Sequence, residues 1–286
     1  MSVSEAQFAP QSSGVSLVRI APPKGWFALD LREAWNYREL LYFFVWRDIK
    51  VRYKQTFIGA AWAVLQPFLM MMVFWLFFGK FAKFDSRGLP YPIFYYAALL
   101  PWTYFATALQ NASNIVVDQQ QVITKVYFPR VVLPFSAVVS PLVDFGIALT
   151  LAAVMLVHYR MVPTLAILWL PVFVLLSILT ALGVGLWLSA LNALYRDVRN
   201  VVPFLVQFWM MASPVMYSSS NVPARWRWLY GLNPMAGVIE GFRWSLSGHG
   251  QPPGALLAAS AGAVLFVVFG GLIYYHAMEG TIADVV

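Results

Sequence analysis

Long apolar runs separated by short charged or proline-containing stretches make up most of the chain. The sharpest transition lies between Leu31 and Gln66, LREAWNYRELLYFFVWRDIKVRYKQTFIGAAWAVLQ, where a charged segment passes without a break into a charge-free apolar one. Tyr42, Trp46, Ile49, Tyr53 and Phe57 recur at spacings of 4, 3, 4 and 4 and so share one helical face, while Arg47, Lys50 and Lys54 gather on a neighbouring one. This pattern predicts an amphipathic helix over 31–56 that lies in a membrane interface and leads into a span.

Crossing ~30 Å of hydrocarbon takes about 20 apolar residues in a helix. Six segments qualify, at approximately 57–79, 92–116, 132–157, 163–189, 200–218 and 255–277. The second contains Pro101, tolerable in a membrane helix through kinking. The fourth contains Gly183 and Gly185, small enough to let helices approach closely. The fifth is short and interrupted by Pro203 and Pro214. The expected fold is an all-α integral membrane protein. It divides into a polar tail (1–30), the amphipathic helix (31–56), a six-span domain (57–277) and a short C-terminus (278–286). The start of the chain has no apolar core of the kind a signal peptide needs, so the tail is expected in the cytoplasm.

Between the fifth and sixth spans, Ser218 to Pro253 is rich in aromatics and too short between its breakers to cross. Gly231 and the Asn233-Pro234 pair mark a turn, with Pro234 suited to the first turn of a helix. Two short re-entrant helices in the outer leaflet fit, with Glu240 and Arg243 three apart and able to pair. The loop DQQQVITKVYFPRVVLP, Asp118 to Pro134, sets Lys125 and Arg130 around Val126, Tyr127 and Phe128, and its prolines limit any helix to a few turns. It reads equally as a solvated loop or as a short helix that docks into a partner. Asp144 is the one acidic residue within the spans. At the bilayer centre it would cost about 2.5–3.5 kcal/mol, so it should face the bundle interior, water or a partner, most simply through a structural hydrogen bond.

Composition agrees with the pattern: 60% of residues are hydrophobic and only 11% charged, with 17% aromatic. The net charge of +7 would suggest nucleic acid in a soluble protein. Here the basic residues flank apolar spans, where attraction to anionic lipid and the positive-inside bias account for them. With six spans and an inside N-terminus, 12 basic residues fall on the cytoplasmic side and 7 outside, which places both termini in the cytoplasm of a multi-pass inner-membrane protein. There are no cysteines. His158, His249 and His276 are too dispersed for a metal site, so neither a catalytic residue nor a metal ligand is assigned. Gly79-Lys80 is followed by Phe81, so no Walker phosphate-binding loop is present and ATP is not expected on this chain. Aromatics of the second span, Tyr91, Tyr95, Tyr96, Trp102, Tyr104 and Phe105, are candidates for stacking on sugar rings or else ordinary packing and lipid-facing aromatics.

Three motifs in register, WNYRELLYFFVWRDIKVRYKQTFIGAAWAVLQP, ITKVYFPRVVLP and LNPMAGVIEGFRW, resemble the membrane subunit of type-2 ABC exporters for polysaccharides, above all O-antigen export permeases, with teichoic acid permeases as relatives. The resemblance covers about residues 15–277. It implies a homodimer around a central channel, joined by two copies of a separate ATPase that holds ATP and magnesium. Such an assembly moves undecaprenyl-diphosphate-linked polysaccharide from cytoplasm to periplasm. By the same resemblance, 31–56 corresponds to a gate helix at the cytoplasmic entrance, with Arg47, Lys50, Arg52, Tyr53 and Lys54 at the lipid-diphosphate or ATPase entrance. Residues 118–130, including Lys125, Tyr127, Phe128 and Arg130, correspond to a coupling helix to the ATPase. Residues 222–247, with Asn233, Pro234, Glu240 and Arg243, correspond to a periplasmic gate. Alternatives are a type-2 exporter of teichoic acid, capsule, lipid or drug, and a membrane-embedded transferase on lipid-linked sugars, for which no convergent acid/base set is visible.

Overall fold

The computed structural model describes residues 36–54, 59–126, 128–162, 164–248 and 252–285. The polar tail, Phe57 and Tyr127 lie outside the described residues. All regular structure among the described residues is helical. In chain order the helices are α1 (Arg38–Lys54), α2 (Ala60–Phe74), α3 (Tyr91–Asp118), α4 (Gln120–Ile123), α5 (Val132–Val139), α6 (Leu142–His158), α7 (Leu170–Leu194), α8 (Val198–Ala212), α9 (Arg227–Gly231), α10 (Pro234–Ser247) and α11 (Gly254–Val285). A π-helical turn, Trp75–Phe81, extends α2, and a 3-10 turn, Leu165–Trp169, leads into α7.

Four of these units are long and apolar enough to cross a membrane by length and composition: Ala60–Phe81, Val132–His158, Leu165–Leu194 and Gly254–Thr281. The second is interrupted at Ser140-Pro141, where α5 gives way to α6. The two other segments expected to span differ from these in instructive ways. At 15 residues, α8 falls short of the ~20 that a straight crossing takes. By contrast α3 has 28 residues, but it carries Thr103, Gln110, Asn111, Ser113 and Asn114 among its apolar ones.

That polarity is explained by position. Packed against α2, α5, α6, α7, α8 and α10, α3 is the hub of the bundle and buries 18 of its residues. Surrounded by protein, its polar groups find partners: Asn192 of α7 donates from Nδ2 to the Ser113 carbonyl at 2.8 Å and to Asn114 Oδ1 at 3.1 Å. Pro101 leaves a gap in the helical ladder, and two residues on the Thr103 hydroxyl donates back to the Leu99 carbonyl at 2.8 Å.

Close approach replaces the hydrophobic effect as the source of helix association in lipid. Gly185 of α7 faces Ala112 of α3, where a Cβ would come within 2.7 Å of the alanine methyl. On the opposite side, a Cβ on Gly183 would stand 2.9 Å from the Val268 nitrogen in α11. Trp187 then stacks on Tyr274 at 4.7 Å between the same two helices. The two glycines thus do what their small size suggested.

Charged contacts cluster at the two ends of the bundle. At one end α1, α4, the start of α8 and the last turns of α11 meet, through Arg47–Gln119, Arg199–Asp118 and Arg130–Glu279 contacts. At the other, the loop before α3 meets α10 through Arg87 and Glu240. Gly183→Ala should drive the α11 backbone away, costing about 1–3 kcal/mol as overpacking does. Gly146→Ala, with nothing within 4 Å, should be neutral. Thermal unfolding of the two variants in detergent, followed by loss of monodisperse protein, checks the difference.

Candidate functional site

The α1 end is built on a single helix whose buried side differs from the one its apolar residues suggest. Phe44 is buried at 2% exposure, with Tyr37, Leu40 and Leu41 packing alongside it, whereas Tyr42 and Trp46 remain 69% and 54% exposed. The protein-facing stripe is therefore 37, 41 and 44, and the Tyr42–Trp46 stripe is left for lipid or a neighbouring chain. Phe44 packs on Phe128 with ring centres 5.8 Å apart. Arg47 lies over the Phe44 ring at 5.0 Å, pairs with Asp48 at 2.9 Å and donates to Gln119 Oε1 at 3.0 Å.

Near its C-terminal end, α1 meets α6. Arg52 Nη1 donates to Asp144 Oδ2, and the Tyr53 hydroxyl donates to Asp144 Oδ1. Asp144 sits in the first turn of α6, where the helix dipole favours a carboxylate. This meets the expectation that Asp144 would be satisfied by a structural hydrogen bond, with partners about 90 residues away that sequence did not indicate. Burial foremost, then the hydrogen bond to and charge of Asp144, push the Tyr53 phenol up to about 12, so it remains a donor at neutral pH. Behind the trio lies a cavity of about 570 Å³ walled by Trp62, Gln66, Pro67, Thr103, Tyr104 and Phe145. Lys50 and Lys54 of the same helix are exposed and do not line it.

The segment after α3 presents two different surfaces. Lys125 is exposed, together with Gln120, Gln121, Thr124 and Val126. Phe128 is buried at 5% exposure under α1. The Arg130 backbone N–H donates to Glu279 Oε1 at 3.1 Å, its guanidinium donates to the Glu279 carbonyl, and its own carbonyl accepts from the Tyr275 hydroxyl at 3.2 Å. Phe128 and Arg130 thus seat the segment on α1 and α11, and the one-turn helix α4 with Lys125 forms its outward tip.

Of the six aromatics along α3, Tyr91 is half-buried and the other five lie in the core of the subunit. Tyr96 donates to the Ala148 carbonyl at 2.8 Å and Tyr104 to the Val138 carbonyl at 3.0 Å. Phe105 packs between Trp102 and Trp209, at 5.4 and 5.1 Å. Tyr95 stacks on Tyr91, and its hydroxyl has no hydrogen-bond partner among the described residues. Among them Tyr104 lines the 570 Å³ cavity.

At the opposite end, the predicted turn and pair are both present. Asn233 caps α10, its Oδ1 accepting from the Met235 N–H at 3.1 Å and from Trp209 Nε1 at 2.9 Å, while its Nδ2 donates to Ser213 Oγ at 2.9 Å. Pro234 occupies the first turn. Glu240 and Arg243, both 4% exposed, pair at 3.4 Å, and Arg87 joins Glu240 at 3.1 Å. Arg243 also donates to the carbonyls of Phe94, Tyr217 and Val215 at 3.2, 3.1 and 2.8 Å. Two contributors here escaped sequence reading: Arg87, and Ser260 of α11, whose Oγ accepts from the Gly237 N–H and donates to the Gly231 and Asn233 carbonyls.

The family model described as ABC-2 type transporter matches residues 39–246, from α1 through α10, and so takes in both ends of the bundle. The chain belongs to the ABC-2 type transporter family. A Myxococcus xanthus protein named O-antigen export system permease protein RfbA is 34% identical over 235 residues, 81% of this chain and 89% of the relative. A Klebsiella pneumoniae protein of the same name is 29% identical over 69% of this chain and 76% of its own length. The Escherichia coli polysialic acid transport protein KpsM is 22% identical over 82% of this chain and 91% of its own length. Among the described residues this ABC-2 membrane component therefore carries its most buried ion pair in α10 and a partly exposed one between α1 and α6.

Removing Glu240 would strand Arg243 in a site with 4% exposure, a change that typically costs about 3–5 kcal/mol. Glu240→Ala should abolish monodisperse protein in detergent, whereas Arg199→Ala, from a pair that is 59% and 46% exposed, should shift the melting temperature by little. Fluorescence-detected size-exclusion after graded heating measures both.

Proposed function

We propose that this chain is the permease subunit of an ATP-driven exporter that carries lipid-linked polysaccharide of the O-antigen class across the cytoplasmic membrane. The observation that carries the reading is the 34% identity to an O-antigen export permease over 81% of the chain. The helices cross six times: the four apolar units, α3 shielded at the centre, and α8 completed by the residues after it. In this arrangement α9 and α10 are re-entrant in the outer leaflet, the α1 end faces the cytoplasm, and both termini lie there. Two copies assemble with two ATPase subunits that hold ATP and magnesium. The cargo is an undecaprenyl-diphosphate-linked chain moving outward.

Within this scheme the exposed tip around Lys125 meets the ATPase, seated from behind by Phe128 and Arg130. The 570 Å³ cavity beside α1 receives the lipid-linked end, with Arg52 and Tyr53 in its lining and Arg47, Lys50 and Lys54 elsewhere on the same helix adding positive charge to the approach. The α3 aromatics stiffen the wall of the path, Tyr104 bordering it directly. Similarity to a polysialic acid transport protein supports a second cargo within the same mechanism, a capsule-type polysaccharide.

Deleting the gene in its own host should remove the surface polysaccharide and leave lipid-linked polymer in the cytoplasmic membrane. Immunoblotting of surface and membrane fractions reads this out, and an unchanged surface polymer overturns the proposal. In the purified complex, Lys125→Glu should lower stimulation of the ATPase several-fold with the subunit still folded, because reversing a rim charge weakens docking more than folding. Arg130→Glu should instead lower the melting temperature, since the Arg130 guanidinium donates to the Glu279 carbonyl and a glutamate there would face the Glu279 carboxylate.

A further inference from the structure

Arg52 and Tyr53 are consecutive residues whose donors converge on the two separate oxygens of one carboxylate. A guanidinium and a hydroxyl in that arrangement present a fork suited to any planar or tetrahedral oxyanion, phosphate included. The carboxylate is supplied from within, by Asp144, at the mouth of a cavity of about 570 Å³. Gln66, Thr103 and Tyr104 give that cavity polar patches, and Trp62, Pro67 and Phe145 give it an apolar wall. The side chains of Arg52 and Asp144 are 32% and 26% exposed, so solvent reaches the pair, and a pair this accessible is held only weakly. The helix that bears the donors carries five basic residues against two acidic ones, so a net positive field surrounds the site.

The opposite end is built differently. There Arg243 directs four of its five N–H groups at three backbone carbonyls and Glu240, inside a site 4% exposed, which leaves little room for an incoming group.

We propose that Arg52 and Tyr53 form a diphosphate site occupied at rest by Asp144, and that the diphosphate of a lipid-linked cargo binds by displacing this internal carboxylate. The inference rests on the exporter reading above. Asp144 then serves selectivity. A tethered carboxylate competes at high effective concentration, so a phosphodiester lipid bearing one charge cannot displace it, whereas a diphosphate bearing more charge can. The abundant anionic phospholipids of the bilayer are thereby kept out of an entrance whose basic residues would otherwise attract them. Displacement also loosens α1 from α6, because among the described residues this ion pair links the two helices.

The test uses the complete chain in nanodiscs of uncharged lipid, titrated calorimetrically with farnesyl diphosphate, inorganic pyrophosphate and farnesol. Asp144→Asn should tighten farnesyl diphosphate binding roughly tenfold, the opposite of what loss of a merely structural contact would do. Asp144→Ser removes the same charge with a different shape and should tighten it as well. Arg52→Gln should weaken binding roughly tenfold, in the wild-type and in the Asp144→Asn background. Adding phosphatidylglycerol to the nanodisc should compete in Asp144→Asn and not in the wild-type chain.

A parallel response to pyrophosphate supports a site that reads the anion from any source, and a response to farnesyl diphosphate alone supports one that reads the lipid headgroup. Unchanged or weaker affinity in both Asp144 variants overturns the proposal, as does binding of farnesol equal to that of its diphosphate. Should the wild-type chain bind none of these probes while the deletion strain lacks surface polysaccharide, the displacement mechanism fails and the exporter reading stands. Should the deletion strain keep its polysaccharide, the exporter reading itself fails.

Discussion

Everything in this bundle is arranged around a helix that touches almost nothing but protein. In a bilayer, apolar surface gains little by leaving lipid for another helix, so α3 has to be gripped by close approach and by hydrogen bonds. Both are present. The Gly185–Ala112 approach brings α7 against α3, and Asn192 closes the contact with two hydrogen bonds to Ser113 and Asn114. Gly183 repeats the approach on the other face of α7, so that α11 is bound to the hub at second hand. Because α3 is sheathed, it can carry polar residues that a lipid-facing helix of that length could not.

Charge is handled in two contrasting ways at the two ends. Around α10 Glu240 and Arg243 are enclosed, and four of the five N–H groups of Arg243 have a fixed acceptor. A half-satisfied network at that depth would cost more than an apolar core, so this end is rigid by necessity. Near α6 the Arg52–Asp144 pair stays in reach of solvent, where either ion is rehydrated at little cost when they part. Rigidity at one end and exchange at the other follow from burial alone.

Features that depend on local chain chemistry were readable from sequence. The Asn233-Pro234 turn announces a helix start because capping and proline geometry act over a few residues. Glu240 and Arg243 were legible as an i,i+3 pair, and the two α7 glycines as contact points. The buried face of α1 was not. In water the heaviest apolar stripe would face the core, but beside a bilayer Tyr42 and Trp46 can face outward, so apolarity does not identify the inner side. Arg130 resembled a partner-facing charge until its binding to Glu279, 149 residues on, came into view. Asp144 was legible as a residue in need of a partner, and which partner was set by how α1 folds back along α5 and α6. Long-range pairings of this kind leave no periodic trace.

These pairings make α1 more than an anchor. It is 17 residues long, about 25 Å at helical rise, and its contacts are spread along that length. Phe44 and Arg47 engage the segment behind Lys125, and Arg52 and Tyr53 engage Asp144 at the cavity. A helix this short is stiff, so displacement imposed at Phe44 or Arg47 must appear at Arg52 unless the contacts slip. The aromatic contact at Phe128 is enclosed and resists slipping, whereas the pair at Asp144 is open to water and gives way first. Any force on the outward tip would therefore be felt first as separation of α1 from α6, at the mouth of the cavity.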